Sequence, residues 1–514
     1  MKPQRLVTVK YNNTYQLLRA VLIGIVVGLV ISLFRLAIQG NLQLVTKLFT
    51  YFHHHPQWLV VYAFGSIVIG WLLGRMSQRH PDIKGSGIPQ VEGQLMGEYD
   101  LAWWPVFWRK LVGGIIGIGS GLFLGREGPS IQLGATLGQG IGERWNLTPI
   151  ERRVSIASGA AAGLAAAFNA PLASAMFIIE EVYHNFSPLV WLSVLVSAVS
   201  SNFMAMQFFG LHHDLAVGHR LSLPVDQYWH LILLGILLGL MGRLYQIVVL
   251  RLGKWTRKIK WVKPEFYPSV ALLLVIPIIW WWPQTIGGGN GLVLSLTSFP
   301  LSIKLMLGLL LLRFIFSMVS YATELPGGIF LPILTLGAVL GGLYIAVMAN
   351  LGLLSATYLP NFIIYAMAGY FACISKAPFT AILLIAEMVG SLSHLMPLAV
   401  VAIVAYLVVD VLQGQPVYLA MFKNFMQKQT PVFKGMTQVT TTIYAGSALA
   451  DQTIAAVNWP KDCLVIGVYR GEEQIMPRGK THLKAGDTLV VEISGEHQGE
   501  NQRWVREQAQ ANVN

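Results

Sequence analysis

Charge is what this chain has least of. Asp, Glu, Lys and Arg make up only 12% of its 514 residues, about half the share found in soluble domains, and 54% of the residues are hydrophobic. That balance excludes an ordinary soluble enzyme and makes lipid the solvent. Cysteine is nearly absent. Cys373 and Cys463 lie far apart in segments of different kind, which excludes a disulfide framework and a cysteine zinc site. There is no HExxH and no GxSxG, so an intramembrane hydrolase built on Glu180, Glu181 and His184 lacks its metal pair or nucleophile elbow. The net charge of +12 does not point to nucleic acid. Much of it sits in the first twenty residues and in RLGKWTRKIKWVK (251–263), between apolar segments, as in cytoplasmic loops under the positive-inside rule. No metal or cofactor is expected: His53, His54 and His55 precede PQW and read as a solvated turn, and GGGNG (287–291) lacks the lysine of a phosphate loop.

Long apolar stretches are what the chain has instead. They run over 19–37, 57–74, 106–124, 189–209, 229–250, 301–319, 331–349 and 396–412, most of them near the ~20 residues a helix needs to cross the hydrocarbon. The first has no small-residue cleavage site behind it and reads as a retained helix. The stretch 154–179 is rich in alanine and glycine, and the tryptophans at 280–282 read as an interfacial belt. Residues 1–420 are therefore expected to form an all-α polytopic membrane domain. Beyond about residue 412 the composition changes to short β-prone runs between turns, among them CLVIGVYR and KAGDTLVVEIS. A linker is expected at 421–437 and a small α+β soluble domain at 438–497, with ALADQTIAAVNW as its helix. A polar tail is expected at 498–514.

The membrane part repeats itself. GREGPSIQLGATLGQ (125–139) lies over GIFLPILTLGAVLGG (328–342), matching Gly125 to Gly328 and Pro129 to Pro332, an offset of 203 residues. FNAPLASAMFIIEEV (168–182) lies over SKAPFTAILLIAEMV (375–389), matching Pro171 to Pro378 and Glu180 to Glu387, an offset of 207. Two ordered blocks at nearly equal offset predict two repeat halves, ~20–210 and ~228–412, of the kind from which inverted-repeat transporters are built.

Glycine and proline punctuate four stretches: GSGIPQ (85–90), GREGP (125–129), GGIFLP (327–332) and QGQPVY (413–418). Within a bilayer a broken helix is tolerated only where it lines a cavity or is buried in protein. The freed helix N-termini carry unpaired N–H groups and partial positive charge, an anion site that needs no lysine or arginine. Arg126 and Glu127 are the only charged residues between Leu111 and Gly142, and an intramembrane carboxylate is functional by default. Ionised, it is itself an anion and fits where an anion sits; protonated, it is neutral and can leave. Adjacent residues on a helix do not face each other, so no ion pair is expected between these two. Glu92 and Lys110 are expected to form a structural pair. Glu180, which has a counterpart in Glu387, is expected to be scaffold.

On these motifs the chain resembles the CLC family of chloride channels and proton-coupled chloride transporters, over about residues 15–420. GSGIPQ, GREGP and GGIFLP match that family's anion-pathway signatures almost letter for letter. The resemblance implies that Ser86 and Tyr418 coordinate a central anion, with the backbone of Ile329 and Phe330. Gly85, Gly87 and Gly328 would shape the site, and Arg126 would hold its outer region. It also implies Glu127 as the external gating glutamate and Glu181 as the internal proton-transfer residue. Family channels often carry an apolar residue at the latter place. The resemblance therefore implies a homodimeric exchanger of chloride and protons, with one pathway in each subunit, in a prokaryotic plasma membrane. A passive voltage- or pH-gated chloride channel is the alternative. Serine at 86 favours chloride, with bromide, nitrate and fluoride as further candidates. The segment 463–492 resembles the TrkA-C domain of potassium-transport regulators. That implies a cytoplasmic regulatory domain with a ligand still to be named, and the membrane part carries no potassium-filter sequence.

Overall fold

Proline and glycine set the helix boundaries. The computed structural model describes residues 13–184, 186–211, 222–258, 261–426, 437–471, 473–493 and 498–510. Its first half holds α1 (Asn13–His54), α2 (Trp58–Arg79), α3 (Ile88–Met96), α4 (Trp103–Gly119), α5 (Glu127–Arg144), α6 (Pro149–Phe168), α7 (Pro171–Phe177) and α8 (Pro188–Phe209). The second half repeats the series as α9 (Trp229–Thr256), α10 (Tyr267–Trp281), α11 (Asn290–Ser295), α12 (Ile303–Ala322), α13 (Phe330–Asn350), α14 (Leu359–Ser375), α15 (Pro378–Val389) and α16 (Leu395–Val411), and α17 (Val417–Met426) follows. Seven of these helices have proline in their first two positions, where its missing N–H costs no intrahelical bond. Among the described residues, eight helices are long and apolar enough to cross a membrane. His53 and His54 close α1 rather than forming a turn, and the His53 ring lies 3.9 Å from that of Trp280.

The repeat is physical, and its halves are inverted copies. In each half a long helix stops at a left-handed residue, Asn169 (φ 53°) or Lys376 (φ 62°), and a proline two residues later starts a short one, α7 or α15. Glu180 accepts from the backbone N–H of Phe379 (3.4 Å) and Thr380 (2.9 Å) at the start of α15. Glu387 returns the contact to Leu172 (3.1 Å) and Ala173 (2.8 Å) at the start of α7. Each half thus caps a broken helix of the other with a carboxylate, which the helix dipole favours. The scaffold role expected of Glu180 has this geometry behind it.

The deepest packing is between α5 and α6, where glycines remove side chains so that backbones can touch. A methyl group built on Gly159 would fall on the Gly134 carbonyl, and one on Gly134 would fall on the Gly159 carbonyl. Gly138 meets the Ser155 carbonyl and Gly163 the Ser130 carbonyl in the same way. The second half keeps the crossing, with Gly337 against Ala366 and Gly341 against Phe362.

The chain divides into two units, Met1–Phe422 and Lys423–Asn514. Of the expected linker, residues up to Met426 belong to α17, and 427–436 lie outside the described residues. The second unit holds a four-stranded antiparallel sheet of order β1-β4-β2-β3, from β1 (Thr437–Thr442), β2 (Cys463–Arg470), β3 (Glu473–Ile475) and β4 (Thr488–Ile493). Two expectations are corrected here. The segment 448–459 is a series of turns and not a helix, because its backbone pairs elsewhere: Asp451 N–H donates to Leu483 O (2.8 Å) and Ile454 N–H to Thr481 O (3.1 Å). The domain's helix is instead α18 (Gln498–Ala509), within the expected tail. Its many polar residues hide one apolar stripe, and Val505 and Ala509, four residues apart on one face, are fully buried. Across the sheet, Arg470 makes two 2.8 Å bonds to Asp487. That guanidinium, with the Lys484 N–H, holds the buried Asp487 carboxyl below the ordinary carboxylate range.

Candidate functional site

Four glycine-punctuated segments meet inside the membrane unit. Gly125 and Gly328, the matched glycines of the two halves, form a reciprocal antiparallel bridge of two 2.7 Å backbone hydrogen bonds. This local two-fold brings the N-terminus of α5, starting at Glu127, beside that of α13, starting at Phe330. Their third residues are Pro129 and Pro332. Each terminus therefore offers the N–H groups of its first two residues, which have no partner within the helix. The GSGIP loop joins from the side: Gly327 N–H donates to Gly85 O at 3.0 Å. Gly85 (φ 60°) and Gly87 (φ 88°) adopt the left-handed conformation that only glycine takes without strain. Ser86 between them is 1% exposed, its hydroxyl accepts from Ile88 N–H at 3.3 Å, and its Cβ would collide with any side chain at Gly128. Tyr418, fully buried, stacks edge-on against Phe177 at 5.9 Å, and Phe177 in turn touches Phe330 at 5.4 Å. Its hydroxyl has no hydrogen-bond partner among the described residues.

Glu127 is completely buried. Its Oε2 is in contact range of a Cβ built on Gly125, which would also lie 3.3 Å from the Leu331 N–H. The carboxylate thus sits where the two helix starts meet. Arg126 Nε stands 3.8 Å from Glu127 Oε1, which corrects the expectation that the two would not pair. Arg126 is the N-cap with helical backbone angles (φ −84°, ψ −16°), so it is the reach of its long side chain that brings the guanidinium to the neighbouring carboxylate. Its guanidinium also donates to Ala167 O at 3.3 Å, tying this region to α6.

A family model described as voltage gated chloride channel matches residues 65–410, and a TrkA-C domain model matches 439–501. The chain is 34% identical over 376 residues to the H(+)/Cl(-) exchange transporter ClcA of Vibrio campbellii, covering 71% of this chain and 79% of that one. The chain belongs to the voltage gated chloride channel family. Another relative in that family is the ClcA exchanger of Klebsiella pneumoniae, 32% identical over 73% of this chain and 81% of its own. Among solved structures, one described as a slow cyanobacterial Cl-/H+ antiporter superposes with a TM-score of 0.76 at 30% identity, over 81% of this chain and 99% of that one. A eukaryotic CLC transporter, at 21% identity and a TM-score of 0.68, shares the fold over 81% of this chain and 75% of its own.

Glu181 lies within electrostatic range of Tyr418. It lies on the π-helical segment Ile178–Tyr183 that extends α7, and is 3% exposed. Such a segment widens one helical turn and recurs at functional sites. Glu92 and Glu180 are within electrostatic range of it. The expected Glu92–Lys110 pair takes a different form. Lys110 is fully buried and donates to Ile83 O (3.0 Å) and Gly85 O (2.8 Å), so it clamps the GSGIP loop. Sequence reasoning missed its partner in the repeat. Arg313, also fully buried, donates to Thr285 O (2.7 Å), Gly287 O (3.2 Å) and Gly288 O (2.6 Å). Gly287 (φ 65°) and Gly289 (φ 106°) copy the left-handed pair Gly85 and Gly87. GGGNG is therefore the second half's version of GSGIP. Its signal was the offset of 202 between Gly85 and Gly287, one residue from that of the GREGP block.

Proposed function

We propose that the chain exchanges chloride for protons across a lipid bilayer, as a homodimer with a separate pathway in each subunit. One observation carries the reading: the Glu127 carboxylate lies fully buried where the N-termini of α5 and α13 converge. Ser86, Tyr418 and the N–H groups of Ile329 and Phe330 would hold the central anion, in a pocket shaped by Gly85, Gly87 and Gly328. Helix N-termini and hydroxyls bind an anion without a full positive charge in contact, so the anion can also leave. Glu127 would occupy the outer position when ionised and vacate it when protonated, with Arg126 holding its seat. Burial works against its charge while the surrounding N–H dipoles favour it, which makes proton exchange feasible. Glu181 would relay protons on the inner side; a retained, almost fully buried acid there supports exchange over passive conduction. The TrkA-C domain would lie in the cytoplasm of a prokaryotic cell, where a soluble ligand could act on transport.

Proteoliposomes test this. With purified protein and equal chloride on both sides, an imposed pH gradient should drive chloride uphill until the two gradients balance. Chloride that moves only down its own gradient, whatever the pH difference, would leave a passive channel as the function.

A further inference from the structure

Two buried donor groups of the membrane unit stand unpaired among the described residues. Tyr245 in α9 and Arg313 in α12 are both fully buried. The Tyr245 hydroxyl and the Arg313 Nε–H have no hydrogen-bond partner among the described residues. A buried donor left unpaired is costly, and native structures rarely tolerate one without a bound species beside it.

The placement of Tyr245 is fixed by its neighbours. Gln246, next in sequence, donates to Ile374 O (3.0 Å) and Gln415 O (2.9 Å). That locks α9 to the QGQPVY segment three residues ahead of Tyr418. The Tyr245 ring packs edge-on against Tyr370 at 6.1 Å and Phe314 at 6.0 Å. Tyr245 lies within electrostatic range of Arg313 and Tyr321, and Tyr418 lies within range of both Tyr245 and Tyr321. The Tyr321 hydroxyl stands beside Gly85, 3.0 Å from where a Cβ there would be, and donates to Met421 Sδ at 3.5 Å. Tyrosines from α9, α12 and α17 thus gather next to the Ser86 loop. The bonds Arg313 makes go to backbone carbonyls, which leave its charge uncancelled. Glu181 and Glu127 are in range of Tyr418, but the one charge in range of Tyr245 among the described residues is the positive charge of Arg313, so the partner its unpaired hydroxyl calls for is an acceptor with negative charge. A small halide has that chemistry.

We propose that Tyr245 is a further anion-binding residue of the pathway, its hydroxyl donating to a halide at a station beside the Ser86–Tyr418 site in the field of Arg313. The inference rests on the chloride-transport reading and adds to it a residue that no signature motif contains. Tyr245→Phe removes the hydroxyl and keeps the ring. Tyr370→Phe is the matched control, because that hydroxyl already donates to Met241 O at 3.4 Å.

Chloride binding to the full-length protein is measured by titration calorimetry for wild type and both variants. Tyr245→Phe should bind chloride about tenfold more weakly, the loss of one hydrogen bond to a charged group, and Tyr370→Phe should match wild type. Unchanged affinity in Tyr245→Phe, or an equal loss in both variants, overturns the inference alone. A wild type that binds no chloride overturns the transport reading beneath it. Wild-type crystals grown in bromide give a second test that needs no variant. An anomalous peak within hydrogen-bond distance of Tyr245 Oη supports the station, and a water there overturns it.

Discussion

Replacing Glu127 by alanine leaves anion flux through the reconstituted protein intact and removes the proton movement coupled to it. The carboxylate is fully buried, and at the meeting of two helix starts it occupies ground that favours negative charge. Alanine leaves those N–H groups in place and takes away the resident anion, so a halide meets less competition there. It also takes away the only carboxyl between Leu111 and Gly142, and with it the group proposed to pick up a proton on this side. Chloride efflux from proteoliposomes should persist, while proton uptake falls to that of protein-free vesicles. Proton pumping at the wild-type ratio in Glu127→Ala would remove Glu127 from its role. Loss of both fluxes in a folded protein would assign Glu127 to structure.

Gly159→Leu should prevent folding, while Gly308→Leu should be tolerated. Gly159 faces the Gly134 carbonyl so closely that even a methyl group overlaps it, whereas nothing lies within 4 Å of a Cβ at Gly308. Overpacking a rigid contact costs about 1–3 kcal/mol where neighbours can yield. Here the neighbour is backbone, and α5 cannot retreat without moving Glu127 and the Gly125–Gly328 bridge. Gel filtration in detergent is the readout: a monodisperse peak for Gly308→Leu, aggregate for Gly159→Leu. A normal peak and unchanged thermal midpoint for Gly159→Leu would mean that the α5–α6 crossing is looser than its geometry indicates.

The parts of the fold that were legible in the sequence are those where a residue type has one use. Glycine beside proline in an apolar run marks a broken helix, and matched breaks at offsets of 203 and 207 mark a repeat. GREGP and GGIFLP therefore disclosed both their pairing and the lone carboxylate between them. Where the same letters have several uses, the sequence was silent or misleading. GGGNG lacks the serine and proline of GSGIP, so beyond the offset of 202 its kinship shows in backbone angles and in the Arg313 clamp. The alanines of 448–459 have helical spacing, but the N–H groups of Asp451, Ile454 and Ala455 pair with the 479–483 segment instead. α18 hides its apolar face among glutamines and arginines, because one stripe of two or three residues is enough to cover a small sheet. The Arg126–Glu127 approach was missed because the helix-surface spacing rule takes no account of how far an arginine side chain reaches. Tyr245 carries no local signal at all, since only tertiary packing leaves its hydroxyl without a partner among the described residues.

On the proposed mechanism, Glu127 and a halide compete for one position. Bromide-soaked crystals of wild type and Glu127→Ala test that competition most directly. The expected result is an anomalous peak in the variant, between Gly125 and the Leu331 N–H, at the place the wild-type carboxylate fills. A variant with that place empty, or a wild type with carboxylate and bromide bound together at full occupancy, would contradict it.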